Sequence, residues 1–284
     1  MEYAKLFRKT DILSNDVAKK AEEELNETPE RRATSIQELR DLLDSGLCSD
    51  CYRDQQISEH FCGTSDLFLC GFLRAKKYDV QKAYELLDSY LKFRERYPDL
   101  TSELSIDSVR PALERGYPRV LPARDNEGRI VFLFSIGSWD ATEVPFDDVL
   151  RAYIYLLEAL LENAENQVSG FVIVENFQQY TISQAMSLKP SDLQKMVSML
   201  QGAFPIRFKG VHFLYQPWYF SWTYALVRPF MKTKMTERVH IHGSNLEKFH
   251  QVLDPCTLPP DFGGNGPEFS PLEMITLLEK IADL

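Results

Sequence analysis

Gly170–Phe177 reads GFVIVENF. The run is short, rich in β-branched and aromatic residues, and opened by a glycine, which predicts a strand. Alternate residues of a strand share a face. Phe171, Ile173, Glu175 and Phe177 therefore lie together, three apolar side chains and one carboxylate. Similar runs stand on either side: RIVFLFSI (129–136), GVHFLYQ (210–216) and RVHIHG (238–243). Helical stretches separate them: FDDVLRAYIYLLEALLEN (146–163), SDLQKMVSMLQGAF (191–204) and PWYFSWTYALV (217–227). Strand and helix alternating at this spacing predict right-handed crossovers and a mainly parallel sheet.

The first hundred residues read differently. VAKKAEEELNE (17–27) and SIQELRDLLDSG (35–46) have helical spacing with charged outer faces. A third helix is expected from Val80 to about Arg96, capped by Asp79 and stopped by Pro98. SPLEMITLLEKIA (270–282) predicts a closing amphipathic helix. The expected fold class is α/β: an all-helical lobe over residues 1–100, then a lobe over 101–284 whose mainly parallel sheet is flanked by helices.

Composition narrows the function. The 284 residues carry a net charge of -10, which argues against nucleic acid as a partner, because phosphate binding needs cationic surface. No uninterrupted apolar run reaches the length of a membrane span, and the first twenty residues lack a signal-peptide core. Five cysteines, an odd number in a long chain, suit a reducing cytoplasm. No GxSxG, GxxxxGK[ST], HExxH or GxGxxG occurs, so neither an enzyme nor a cofactor site is expected. Cys48, Cys51, His60 and Cys62 match a tetrahedral zinc inventory, but zinc motifs usually separate two close pairs by a longer span. Unpartnered thiols are the expectation there. His240 and His242 alternate on one strand face without an acid or thiol to complete a metal set.

In RIVFLFSI, Ile130, Phe132, Phe134 and Ile136 share a face. Either this face and that of Glu175 are ordinary packing, or they meet under a lid as an aromatic cavity with one polar handle. A carboxylate in such a row must be paired, hydrogen-bonded or protonated. The stretch VHFLYQPWYFSWTYALVRPFMKTK (211–234) favours the cavity. Its helix, expected from Trp218 to Val227, is apolar nearly all round, and Arg228, Lys232, Lys234 and Arg238 follow. In an acidic chain, aromatics beside cations suit a membrane headgroup region.

These blocks resemble the CRAL-TRIO family of soluble lipid-transfer proteins. FLRAKKYDVQKAYELL, GYPRVLPARDNEGRIVFLF, GFVIVENF, LQGAFPIRFKGVHFLYQPWYF, RPFMKTKMTERVHIHG and LPPDFGG carry the resemblance, in family order, over about residues 15–280. It is strongest, through ENF, QPWYF and LQKMVSMLQ, to the retinaldehyde-binding members; tocopherol-transfer members and clavesins look more distant. The resemblance implies a single lipid carried in a closed pocket, 11-cis-retinal or a related retinoid. Pocket residues implied are Phe134, Ile136, Trp139, Tyr153, Phe171, Glu175, Met196 and Met199, with Trp218 and Trp222 on the lid. Tyr153 and Glu175 would hold the polar end. A phosphoinositide cleft is implied at Lys76, Arg207, Lys234 and Arg238. Gly71 inside a helix and Asn166 near the pocket are departures from the family pattern. The partners expected are therefore an apolar ligand and a peripheral membrane surface, with the chain a monomer. Two other readings stay open: a carrier of tocopherol, a carotenoid or a phosphoinositide, and a membrane adaptor without cargo. Glu175, if protonated, could also polarise a bound polyene.

Overall fold

The structure is a computed structural model and describes residues 2–45, 61, 63–268 and 270–282. Cys48, Cys51, His60 and Cys62 lie outside the described residues. The chain begins with helices α1 (Glu2–Leu6), α2 (Asn15–Leu25), α3 (Pro29–Ser45), α4 (Asp66–Ala75), α5 (Val80–Arg96) and α6 (Ile106–Glu114). Short polar side chains set their starts. Ser65 accepts from Phe68 N at 3.2 Å, and Asp79 from Lys82 N at 3.1 Å.

Strands β1 (Arg119–Val120), β2 (Ile130–Ser135), β3 (Phe171–Asn176), β4 (Phe208–Leu214) and β5 (Val239–Gly243) form one sheet. β1 pairs antiparallel with β2, and β2 to β5 run parallel. The antiparallel edge was not expected, because two residues are too few to show a pattern. Helices α7 (Phe146–Leu161), α8 (Ala164–Ser169), α9 (Ile182–Ser187), α10 (Pro190–Ser198), α11 (Phe220–Val227) and α12 (Thr233–Thr236) connect the strands, and α13 (Pro271–Ala282) closes the chain.

The strands lie side by side in chain order. When successive parallel strands step in one direction, right-handed crossovers put every connecting helix on the same face. The two cores follow from this. Ile130, Phe132, Phe134, Phe171, Ile173 and Val211 join one cluster with α7, α10 and α11. Their alternating neighbours Val131, Leu133, Val172, Val174 and Leu214 join the other, sealed by Phe249, Leu253, Leu258 and Phe262. The first cluster also runs into the N-terminal helices, so one core spans both halves of the chain.

A buried polar network ties those halves together, through Gln167. Arg74 of α4 is fully buried and bidentate to Glu27, with Nε to Oε2 at 2.9 Å and Nη2 to Oε1 at 2.6 Å. Its Nη1 donates to Gln167 Oε1 at 2.7 Å, and Gln167 Nε2 donates to the carbonyls of Leu67 and Leu161. Gly71 packs beside this network: a Cβ at that position would meet Gln167 Nε2 at 3.4 Å, an ordinary contact, so the network does not itself demand a glycine.

Gly170 precedes β3 with φ +85°, and a Cβ there would lie 2.3 Å from Arg207 O, the acceptor of Phe171 N. The left-handed conformation and the clash act together. Gly170→Ala should lose roughly 2 kcal/mol or more of stability. Urea unfolding of the two proteins checks this, and an unchanged midpoint would contradict it.

Candidate functional site

Between the sheet and its helices lies a narrow cavity with a volume of about 80 Å³. Register across the sheet aligns Phe134, Glu175 and Phe213 of β2, β3 and β4 as one row, and all three line the cavity. Helix α7 contributes Phe146, Val149, Leu150 and Tyr153, and α11 contributes Phe220, Thr223, Tyr224 and Val227. Each set has the i, i+3, i+4, i+7 spacing of one helix face.

Glu175 is the chemical anomaly of the cavity. No hydrogen bond or ion pair to its carboxylate occurs among the described residues, and burial raises its pKa from 4.5 to about 7. Burial also pushes the Tyr153 hydroxyl well above its ordinary value, with the Glu175 charge adding to the shift. Tyr153 likewise has no hydrogen bond to protein among the described residues. A carboxyl that is half protonated near neutrality can donate to a ligand oxygen, and the phenol can do the same. Thr223 Oγ1, also buried, is already engaged with Tyr180 OH at 3.1 Å.

Of the residues expected in the pocket, Phe134, Ile136, Tyr153, Glu175, Met196 and Met199 stand in the cavity wall. Four others do not. Trp139 is buried behind the wall, donating Nε1–H to Val144 O at 2.9 Å and packing on Phe146. Phe171 shares a face with Glu175 but begins β3, four residues away, where it packs on Phe132. Trp218 and Trp222 point outward, 74% and 52% exposed, and Leu226 continues the stripe at 42%. The helix starts at Phe220 rather than Trp218. Asn166 is not at the cavity either: it donates to Leu6 O and Leu160 O and accepts from Arg124. Sequence reasoning found Tyr153 but missed its α7 neighbours Phe146, Val149 and Leu150 and the α11 lining. The α7 spacing was readable, whereas in α11 a helix apolar on every side hides which face is turned inward.

A second depression of about 650 Å³ lies beside the first. It collects all four expected cations, Lys76, Arg207, Lys234 and Arg238, and adds Lys77, Lys209 and Lys232. Burial lowers the Lys76 pKa, and Lys232 and Lys234 lower it further. Arg238 is lowered by burial and then by Arg207. Like charges held this close stabilise a bound polyanion. Arg207 and Arg238 are each pinned by a backbone carbonyl, those of Val168 and Phe208.

The two depressions share a wall. α10 ends in a π-turn, Met199–Ala203. Leu200 lines both spaces. Gln201 holds the chain just after α11, donating to Phe230 O at 2.6 Å and accepting from Lys232 N at 2.9 Å. The histidines expected as a strand pair gain a third member, since His212 Nδ1 and His242 Nε2 are 3.0 Å apart and His240 stacks on His212. Burial lowers His212 to about 3, which keeps that ring neutral.

An apolar cavity between the sheet and its helices lies beside a cleft lined by seven cations, the two sharing Leu200. Residues 114–264 match the family model described as the CRAL/TRIO domain. The chain belongs to this family of lipid-binding transfer proteins. Among curated relatives it is 36% identical to clavesin-1 of Rattus norvegicus over 94% of this chain and 73% of the relative, and 36% identical to clavesin-2 of Homo sapiens over 90% and 76%. The crystal structure of Sfh5 superposes with a TM-score of 0.54 at 13% identity, covering 90% of this chain and 99% of that one; that likeness concerns the fold. These two relatives are clavesins, which the sequence blocks had placed further off than the retinaldehyde-binding members. Among the described residues no helix is long and apolar enough to cross a membrane.

The raised pKa of Glu175 has a signed consequence. The unfolded carboxyl titrates near 4.5 and the folded one near 7. The folded state therefore holds its proton longer, and stability is lost as pH rises from about 4.5 to about 7. Glu175→Gln removes that loss. Its melting temperature should match the native protein near pH 4 and exceed it at pH 8, by up to about 3 kcal/mol in free energy. Parallel melting curves at both pH values would refute the assignment.

Proposed function

We propose that the protein is a cytoplasmic, monomeric carrier. It holds one long apolar ligand with a single polar end in the cavity, and exchanges it at membranes that present phosphoinositide headgroups. A cis-retinoid, 11-cis-retinal first, is the ligand favoured. The observation that carries this is that Tyr153 and Glu175, both without a hydrogen-bond partner among the described residues, line the same largely apolar cavity. Such a pair suits a terminal carbonyl or hydroxyl. Met196 and Met199 give an adaptable wall for a bent chain. No chemical step is assigned to Glu175.

Loading requires a wall to move. A single water needs a cavity of roughly 10–15 Å³, so about 80 Å³ is too little for a ligand of some twenty carbons. The wall best placed to move is α11. Its outer stripe of Trp218, Trp222 and Leu226 faces solvent, as an interfacial helix would on lipid, and Gln201 anchors its far end. Lipid contact on the stripe and phosphate contact in the cleft then act on one segment. A second reading, an adaptor that docks through the cleft without cargo, is favoured by the small volume of the cavity.

The deciding experiment incubates the purified protein in the dark with mixed retinoids and tocopherol, reisolates it, and reads the extract by chromatography and absorbance. A stoichiometric cis-retinoid is expected. Tocopherol alone moves the protein to another cargo, and an empty extract favours the adaptor. Separately, Arg207→Glu with Lys234→Glu should abolish binding to phosphoinositide vesicles and leave ligand affinity in solution within about twofold. Retained vesicle binding would overturn the cleft assignment.

A further inference from the structure

The basic cleft is not uniformly available. Lys76, Lys232 and Lys234 have no ion-pair partner among the described residues, and they lie close enough to depress Lys76. Arg207 and Lys209 are already engaged. Glu24, from the last turn of α2, places Oε2 2.5 Å from Arg207 Nη2 and 3.0 Å from Lys209 Nζ. Although burial works the other way, these hydrogen bonds hold its pKa at about 2, so it is charged at any working pH. Glu23 also lines the cleft, but it turns to Lys19 at 3.8 Å and is 65% exposed.

We infer that Glu24 is a displaceable counter-ion of the cleft, occupying the place of a second phosphate and yielding it only to a ligand that carries more than one. A carboxylate bridging a guanidinium and an ammonium uses the same charge-assisted contacts that phosphate oxygens use. A ligand with one phosphate can rest on Lys76, Lys232 and Lys234 without touching Glu24. A second phosphate reaches Arg207 and Lys209 only by replacing it. Arg207 and Lys209 stand at the start of β4, and Glu24 stands on α2, so displacement also cuts an ion-paired link between the N-terminal helices and the sheet. In the unliganded protein the same contact spares Arg207 and Lys209 an unpaired charge in a partly buried place. This inference rests on the reading of the cleft as an anion site and adds which part of it is guarded.

The test uses the full chain with Glu24→Gln. Gln keeps the size and one acceptor oxygen, so the fold is retained. Binding is measured by calorimetry with soluble inositol mono- and bisphosphates, and by flotation with vesicles containing phosphatidylinositol mono- or bisphosphate, or phosphatidylserine. Glu24→Gln should tighten bisphosphate binding about fivefold to tenfold and leave monophosphate binding within about twofold. Glu23→Gln makes the same change in net charge without the contact, and should leave both within about twofold. Equal tightening by the two variants would mean bulk charge alone and overturn the proposal. So would a uniform loss of affinity with a lower melting temperature, the mark of a merely structural salt bridge. Unchanged bisphosphate binding in Glu24→Gln, with loss in Arg207→Glu, overturns the counter-ion and keeps the cleft. If no inositol phosphate or vesicle binds any variant, the cleft reading itself fails and takes the inference with it. The expected tightening seen with soluble bisphosphate but not with vesicles supports the counter-ion and makes a free polyphosphate its ligand; the same tightening with both supports a lipid headgroup.

Discussion

The order of the strands governs this molecule. Because β2, β3, β4 and β5 lie side by side in chain order, the crossovers cannot change sides, and all connecting helices crowd one face. That face cannot close as tightly as a sheet packed against a single layer, since α7, α10 and α11 reach it from different connections. The space left among them is the cavity. The opposite face packs, among the described residues, against the chain around Leu246 to Phe262 and against Leu121. One topological choice thus divides a β-sheet into a working side and a structural side.

The division was readable in the strands because it depends on alternation, which is local. Phe134, Ile136, Ile173, Glu175 and Phe177 fall where their parity puts them. Alternation gives a residue's face but not its height along the strand. Phe171 has the right parity and the wrong height, and it belongs to the core near Phe132. Trp139 lies after β2 in a turn, where no period applies, so only the folded chain shows its ring turned to Val144 O. The π-turn at Met199–Ala203 and the two-residue β1 are set by tertiary contacts and leave no periodic trace.

The cleft shows the converse. Its cations come from three separated segments: Lys76 and Lys77 after α4, Arg207 and Lys209 at the start of β4, and Lys232, Lys234 and Arg238 after α11. A local excess of charge was visible in the last two segments. What stayed hidden was the acid. Glu24 lies in a stretch full of exposed glutamates, and nothing in its neighbourhood separates it from Glu22 or Glu23 until α2 packs beside β4. Ion pairs between distant segments carry no sequence signal, yet they decide which charges of a patch are free.

Leu200 and Gln201 bring both halves of the site into one argument. Leu200 touches the cavity with one part of its side chain and the cleft with another. Gln201, next to it, holds the chain at Phe230 and Lys232, between the end of α11 and the cations that follow. In the carrier reading proposed above, an anion drawing on Lys232 and Lys234 would pull on the segment that Gln201 holds just after α11. Packed interiors respond to such pulls by switching between arrangements rather than by deforming smoothly. Tyr153 of α7 and Glu175 of β3, without hydrogen-bond partners among the described residues, line the same cavity as α11. A wall that shifts when the cleft fills would expose that pair just when an anionic surface is at hand.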